Sequence, residues 1–304
     1  MRGQQNPDEI VKYREVCWKC HRPVASCYCK YTAPVDSGVK FVFLMHPKEA
    51  RKQKTGTGRL ASLCLPESEI IVGIDFTRNE RINQLLNDPQ YYPVLLYPAK
   101  DAWTADKEGF RETIGNRKLL AFIVDSTWFC SKKMIRYSMN INSLPKFSFT
   151  GQYRSIFTFK HEPAEYCVST IETCYYLIKE LQKSGIADKD ADPEPLMNVF
   201  KEMIKYQLQK ENDRIDGKIA STHIYDYKYN KKKDIPTSFQ TDDERKKMIV
   251  PKAYYITNTN ARWRITSPLK TILNYRTEKK NIFVTQCVII RNNDYLCSEK
   301  NKNQ

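Results

Sequence analysis

An α/β fold, with a mostly parallel sheet covered by helices, is what this sequence predicts, and three observations carry that expectation. Four apolar runs, VKFVFLM (39–45), EIIVG (69–73), PVLLYP (93–98) and KLLAFIVD (118–125), are continuous rather than alternating. A strand that is apolar at successive positions is buried on both faces, as in a parallel sheet flanked by helices. Helix-compatible segments near 48–64, 79–88, 128–142, 169–184 and 195–212 are interspersed with and follow these runs, which is the α/β pattern. Finally, 304 residues at 41% hydrophobic and 12% aromatic content can bury a substantial core, which excludes an intrinsically disordered chain.

Taken in order, residues 1–35 show little regular pattern but hold four cysteines, the mark of a small module organised by something other than an apolar core. Residues 36–212 carry the alternating runs and form the main domain. Within it GIADKDADPEP (185–195), rich in proline and acidic residues, reads as a loop between the last two helices. The character then changes. Residues 211–304 hold 19 Lys+Arg against 11 Asp+Glu, +8 of the whole chain's +15. Short runs such as AYYIT (253–257), RWRIT (262–266), NIFVT (281–285) and CVII (287–290) point to a basic, β-rich C-terminal extension over 213–304.

The longest apolar runs fall far short of the roughly 18 residues of a membrane span. The opening MRGQQNPDEI lacks the apolar centre of a secretory signal. A cytoplasmic protein without membrane association is therefore expected. A pI near 9.2 calls for a polyanionic partner. No segment joins a basic amphipathic helix to bulky apolar anchors, so nucleic acid is favoured over a lipid surface.

Ten cysteines in a chain of this length do not suggest a disulfide scaffold. Cys17-x2-Cys20-x6-Cys27-x-Cys29 instead packs four thiols into thirteen residues. Four thiolates close the tetrahedral shell of zinc and leave no open position, so such a metal is structural. Free thiols or a redox pair are the competing account. Cys64, Cys130, Cys167 and Cys174 lie in helical or core-like contexts and read as packing residues.

The ends of the strands carry the polar motifs. Run 39–45 leads into His46-Pro47-Lys48-Glu49, and Lys48, Arg51, Lys52, Lys54 and Arg59 surround Thr55-Gly56-Thr57-Gly58. In open α/β sheets ligands bind beyond the carboxyl ends of strands, although Pro47 also simply suits the first position of a helix. Run 118–125 ends in Asp125-Ser126-Thr127-Trp128, with Lys132, Lys133 and Arg136 on the following helix. These residues are equally N-caps and a first-turn core aromatic, or a base, a stacking ring and phosphate anchors. Ser169 and Glu172 have the spacing of a capping box, which is compatible with ligand binding at the same helix start.

The succession Cys-x2-Cys…Cys-x-Cys, HPKEARK…TGRL, LLYP, DSTW and STIE resembles that of the DTW-domain proteins, over about residues 15–210. The resemblance implies a tRNA-uridine aminocarboxypropyltransferase that uses S-adenosylmethionine to make 3-(3-amino-3-carboxypropyl)uridine. It also implies a fold related to the SPOUT class, with a deep trefoil knot around the cofactor. Three departures stand out: Gly56 replaces the Asn before TGRL, Thr173 the Ala after STIE, and Lys160 the Arg of a Tyr-x-x-Arg element. Lysine cannot reproduce the bidentate contact of arginine.

Under this resemblance, N3 of uridine loses its proton and attacks the methionine γ-carbon, and 5′-methylthioadenosine leaves. Asp125 is the candidate base, and Trp128 either stacks on the uracil or packs behind the pocket. Leu96, Tyr97, Pro98, Ser126, Thr127, Ser169, Thr170 and Glu172 are the cofactor-loop candidates. His46, Lys48, Arg51, Arg59, Lys132, Lys133, Arg136 and Lys160 are the candidates for RNA contact. In the extension, HIYDYKYNKKK (223–233) alternates aromatics with charges, as either a stacking surface or a half-buried strand would. A monomer acting on tRNA is expected. A SPOUT-like methyltransferase and a non-catalytic, zinc-stapled RNA-binding protein are the competing functions; release of S-adenosylhomocysteine would mark the first.

Overall fold

The computed structural model describes residues 15–52, 56–151, 153–157, 167–220, 232–239 and 288–289. Five strands form the central sheet: β1 (Lys40–Met45), β2 (Ser68–Val72), β3 (Tyr91–Leu96), β4 (Lys118–Asp125) and β5 (Lys146–Phe147). Their order is β2-β1-β4-β3-β5 and every pairing is parallel. The expected strands are therefore present, with β4 on the expected residues and β5 an unforeseen two-residue addition.

Side-chain alternation explains why the runs are apolar throughout. Phe41, Phe43, Val94, Leu96, Ala121 and Ile123 face one layer, while Val42, Leu44, Leu95, Leu120, Phe122 and Val124 face the other. The first layer contains α2 (Thr57–Ser62), α7 (Thr170–Lys183) and α8 (Glu194–Ile215). The second contains α3 (Glu80–Asn87), α5 (Trp128–Tyr137) and α6 (Met139–Asn142), through Ile82, Leu85, Met134, Ile135 and Ile141. Helix α1 (Pro47–Lys52) leaves the end of β1, and α4 (Phe110–Ile114) sits between Gly109 and Gly115, both at positive φ.

Two expected helices are broken. The segment 48–64 forms α1 and α2 on either side of its Gly/Thr stretch. The segment 128–142 breaks at Ser138, whose backbone leaves the helical region and whose Oγ accepts a 3.0 Å hydrogen bond from Phe76 N. Helix α8 begins inside the expected 185–195 loop, because Pro195 falls in its first turn, where a missing N–H costs nothing. No helix among the described residues is long and apolar enough to cross a membrane.

Of the C-terminal extension, 232–239 packs back on the main body: Ile235 and Phe239 join the larger core, and the Asn212 side chain bonds Lys233 N and O. Within 287–290, β7 (Val288–Ile289) pairs antiparallel with β6 (Cys167–Val168). The runs 253–257, 262–266 and 281–285, and all of 223–231, lie outside the described residues. At the other end, Tyr28 and Val35 are buried in the same core as α8.

Register aligns the carboxyl ends of the strands: Met45 pairs with both Val72 and Asp125, and Leu96 with Phe147. The segments that begin at His46, Tyr97, Ser126 and Ser148 thus leave from one edge of the sheet, the edge where such folds bind ligands.

Candidate functional site

Asp125 is the last residue of β4 and only 3% exposed. Its Oδ1 accepts a 2.8 Å hydrogen bond from Thr170 Oγ1, at the start of α7. Gly58 lies against the same carboxylate: a Cβ there would stand 2.4 Å from Asp125 Oδ2. Only glycine lets the first turn of α2 approach so closely. Three motifs far apart in sequence, TGRL, DSTW and STIE, therefore meet at one carboxylate. The Asp–Thr and Asp–Gly58 contacts escaped the sequence; a glycine inside TGTGRL is the signal that pointed nearest to them.

His46 continues the β1–β4 ladder, its N–H donating to Asp125 O at 3.0 Å. Its ring is buried, and Nδ1 accepts from Lys48 N at 3.1 Å. Burial, assisted by the Lys48 charge, lowers its pKa and favours neutral imidazole. Ser126 is buried too, 2.8 Å from Ser131 Oγ, while Thr127 occupies the N-cap position of α5.

The LLYP motif reaches the site through its tyrosine. Leu96 is core, Tyr97 and Pro98 are half-buried, and the Tyr97 ring lies parallel to Trp128, 5.8 Å between centroids and 8° between planes. Lys132 Nζ stands 5.0 Å from the Trp128 centroid. The tryptophan is thus held by a second motif and a cation, at the end of β3 beside that of β4.

On α7, Glu172 is fully buried. Its oxygens accept from Ser169 N at 2.8 Å, Ser169 Oγ at 2.6 Å, Ser155 Oγ at 2.6 Å and Ile156 N at 2.8 Å. Burial pushes its pKa up and these donors pull against it. The expected capping box is present, and it also reaches across to the loop after β5. Two turns on, Glu180 does the same with Gly151 N and Tyr153 OH, both at 2.8 Å, and with Thr150. Glu180 was not anticipated; a glutamate in the otherwise apolar face of YYLIKEL was its only trace. Together the two glutamates bind Thr150, Gly151, Tyr153, Ser155 and Ile156 to α7.

Among the candidates for RNA contact, Lys48, Arg51, Lys132, Lys133 and Arg136 are exposed. Arg59 is half-buried and donates to Ala50 O at 3.0 Å, tying α2 to α1. Lys160 lies outside the described residues. Three buried hydroxyls, Ser37 Oγ, Thr57 Oγ1 and Ser148 Oγ, have no hydrogen-bond partner among the described residues. Thr57 adjoins Gly58, and Ser148 follows β5.

The sulfur atoms of Cys17, Cys20, Cys27 and Cys29 all lie within 4.8 Å of one another, with Cys17–Cys29 at 3.8 Å and Cys20–Cys27 at 3.6 Å. Zinc–sulfur bonds of about 2.3 Å give tetrahedral edges of about 3.8 Å, so the donor set fits zinc. The amides of Cys20 and Lys19 hold Cys17 down to about 6. Tyr28 anchors the cluster to α8, edge-on to Tyr206 at 5.9 Å and beneath the Arg22 guanidinium at 4.3 Å. A cavity of about 490 Å³ lies between this module, α8 and Ile235, and no DSTW or STIE residue lines it. Cys64, Cys167 and Cys174 are buried and Cys130 half-buried.

A family model described as the DTW domain matches residues 14–208. The tRNA-uridine aminocarboxypropyltransferase 2 of Drosophila melanogaster is 26% identical over 202 residues, covering 64% of this chain and 76% of that protein. No solved structure matches the chain.

Proposed function

From the premise that this chain belongs to the DTW-domain family, we propose that it transfers the 3-amino-3-carboxypropyl group of S-adenosylmethionine to N3 of a uridine in tRNA. The observation that carries this reading is the convergence of TGRL, DSTW and STIE on the Asp125 carboxylate, with LLYP joined to it through the Tyr97–Trp128 pair. The name of the fly relative supports the same chemistry.

S-adenosylmethionine, when bound, supplies the electrophilic carbon. The residues around it have separable tasks. Asp125 takes the N3 proton, its desolvated carboxylate fixed in orientation by Thr170 and by the close backbone of Gly58. Tyr97 and Trp128 form a flat aromatic wall against which the uracil lies. The hydroxyls of Thr57 and Ser148 fit polar groups of a ligand, since each is buried and has no partner among the described residues. Ser126, Thr127, Ser169 and Glu172 shape the loops, and Glu172 acts through Ser155 and Ile156 rather than on the ligand.

Lys48, Arg51, Arg59, Lys132, Lys133, Arg136 and Lys160 supply the cations for the RNA backbone. The SPOUT relationship and its knot belong to the same proposal. A strand order in which β4 inserts between the earlier β1 and β3 supports them. The four cysteines hold a structural zinc in a module over 1–35, joined to a catalytic domain over 36–212 and an extension over 213–304. The enzyme works as a monomer in the cytoplasm.

Mass spectrometry of nucleosides from tRNA incubated with the protein and S-adenosylmethionine tests the reading. A carboxypropyl mass increment on uridine, with 5′-methylthioadenosine released, is expected. A methyl increment with S-adenosylhomocysteine, or no increment across a total tRNA pool, overturns it.

A further inference from the structure

We propose that the solvent face of α5 is a stacking rail for unpaired nucleotides of the RNA substrate, leading along the helix to Trp128. This deepens the tRNA reading above and rests on it. At about 100° per residue, Phe129, Lys132, Lys133, Arg136 and Tyr137 share one arc of roughly 140°. Ser131, Met134 and Ile135 occupy the opposite, buried face. Phe129 is 68% exposed, Tyr137 47%, and Met139, just past the helix, 72%. Large apolar side chains gathered on one helix face in this way mark an interaction surface.

The cations on this face are braced by its rings. Lys133 Nζ stands 4.6 Å from the Phe129 centroid and Arg136 Cζ 5.3 Å from that of Tyr137, repeating the Lys132–Trp128 contact one residue earlier on the helix. A cation held over a ring loses less freedom on meeting a phosphate than a free one. The helix WFCSKKMIRY contains no acidic residue. Asp75, the acid of the adjoining turn, is engaged with Thr77 N at 2.9 Å and Thr77 Oγ1 at 2.7 Å.

Rings interleaved with cations fit one partner chemistry best. Bases present flat π faces and phosphates present charge, in the alternation that this face offers. A duplex hides its base faces, so the surface suits unpaired nucleotides. A second copy of the chain fits poorly, because a twofold contact through α5 would bury like charges against one another. The geometry also connects the rail to the site. Phe129 and Tyr137 are about 12 Å apart along the axis, and Trp128, beside Asp125 in the DSTW motif, begins the same helix.

The test measures binding of the full chain to a single-stranded oligouridylate, to unmodified tRNA and to a paired RNA duplex over a range of salt. Two double variants are compared with the parent chain, Phe129→Ser with Tyr137→Ser, and Lys133→Gln with Arg136→Gln. The aromatic pair is expected to weaken oligouridylate and tRNA binding at least tenfold, with the salt slope and the thermal midpoint unchanged. The basic pair is expected to reduce the slope for single strands by about 1.4, two phosphates at about 0.7 each. Unchanged oligouridylate affinity in the aromatic variant overturns the proposal. So does a parent dimer that the aromatic variant splits while tRNA binding persists. The two readings fail separately. Binding through α5 without carboxypropyl product sinks only the activity, whereas product formation with unaltered KM for tRNA in the aromatic variant sinks only the rail.

Discussion

Thr170 Oγ1 donates a 2.8 Å hydrogen bond to Asp125 Oδ1, joining the first residue of α7 to the last of β4. A buried carboxylate that loses such a donor is both destabilised and free to turn. Thr170→Val, which keeps the shape, is expected to cost about 1–3 kcal/mol of stability and at least tenfold in turnover. Thr170→Ser should recover most of both. Urea unfolding and a transfer assay on the three proteins check this; a fully active valine variant would contradict it.

Gly58→Ala is expected to be severe for a reason that has nothing to do with helix propensity. The new methyl would meet Asp125 Oδ2 at 2.4 Å and Cγ at 2.8 Å, and the carboxylate is held from its other side by Thr170. Overpacking of this kind costs about 1–3 kcal/mol. Turnover should fall by more than that stability loss explains, because the displaced group is the proposed base. Retained turnover alongside a lowered melting midpoint would detach Gly58 from the chemistry.

Thr57→Val should separate stability from function in the opposite sense. The threonine is 1% exposed and its hydroxyl has no partner among the described residues. Exchanging an unpaired buried hydroxyl for a methyl is neutral or stabilising, by up to about 1 kcal/mol. Weaker binding of S-adenosylmethionine or tRNA by calorimetry, in a protein that melts no lower, is the expected pair of results. A clear loss of stability would mean that the hydroxyl is satisfied in the free protein.

Acid stability has a specific contributor at the sheet edge. Glu69 on β2 is bonded by Arg81 at 2.7 and 2.9 Å and by Lys40 at 2.7 Å, and chiefly the Arg81 bond holds its carboxyl down at about 2, below the usual 4.5. A depressed carboxyl stabilises the fold above its unfolded value, and that contribution drains away as pH falls from about 4.5 toward 2. The group is partly exposed, so about 1–2 kcal/mol is at stake. Glu69→Gln should therefore be less stable than the parent at pH 7, and the gap should be clearly narrower at pH 3, closing only near pH 2 and below. An equal gap at both pH values would show that packing, not charge, is responsible.

One zinc per chain is expected by elemental analysis, and it should disappear with Cys20→Ser or on chelation. Because Tyr28 ties the cysteine cluster to α8 through Tyr206 and Gln207, metal loss should lower the melting midpoint of the whole protein. A Cys20→Ser protein with full metal content would remove the cluster from consideration.

How much of this was legible in the sequence depends on how each feature is encoded. β4 could be bounded to the residue because its eight positions, KLLAFIVD, are apolar after the first and stop at a carboxylate. β5 could not be seen, since two residues carry no periodicity and their pairing is set by β3. The break at Ser138 was hidden because serine suits a helix surface; only the distant Phe76 amide makes it a stop. Motifs marked the candidate residues, but the bonds between motifs are tertiary. The capping spacing of Ser169 and Glu172 was readable, whereas the reach of Glu172 to Ser155 and Ile156 was not.

That reach sets where the protein can yield. Glu172 and Glu180 together accept eight hydrogen bonds, six of them from Thr150, Gly151, Tyr153, Ser155 and Ile156. Lifting those residues away would strip Glu180 of all four of these bonds and leave Glu172 only those from Ser169, at several kcal/mol for a buried charge left unpaired. Under the proposed function, an RNA substrate is expected to enter and leave past the exposed side chains of α5, so substitutions there, rather than around Glu172 and Glu180, should alter the rate of release.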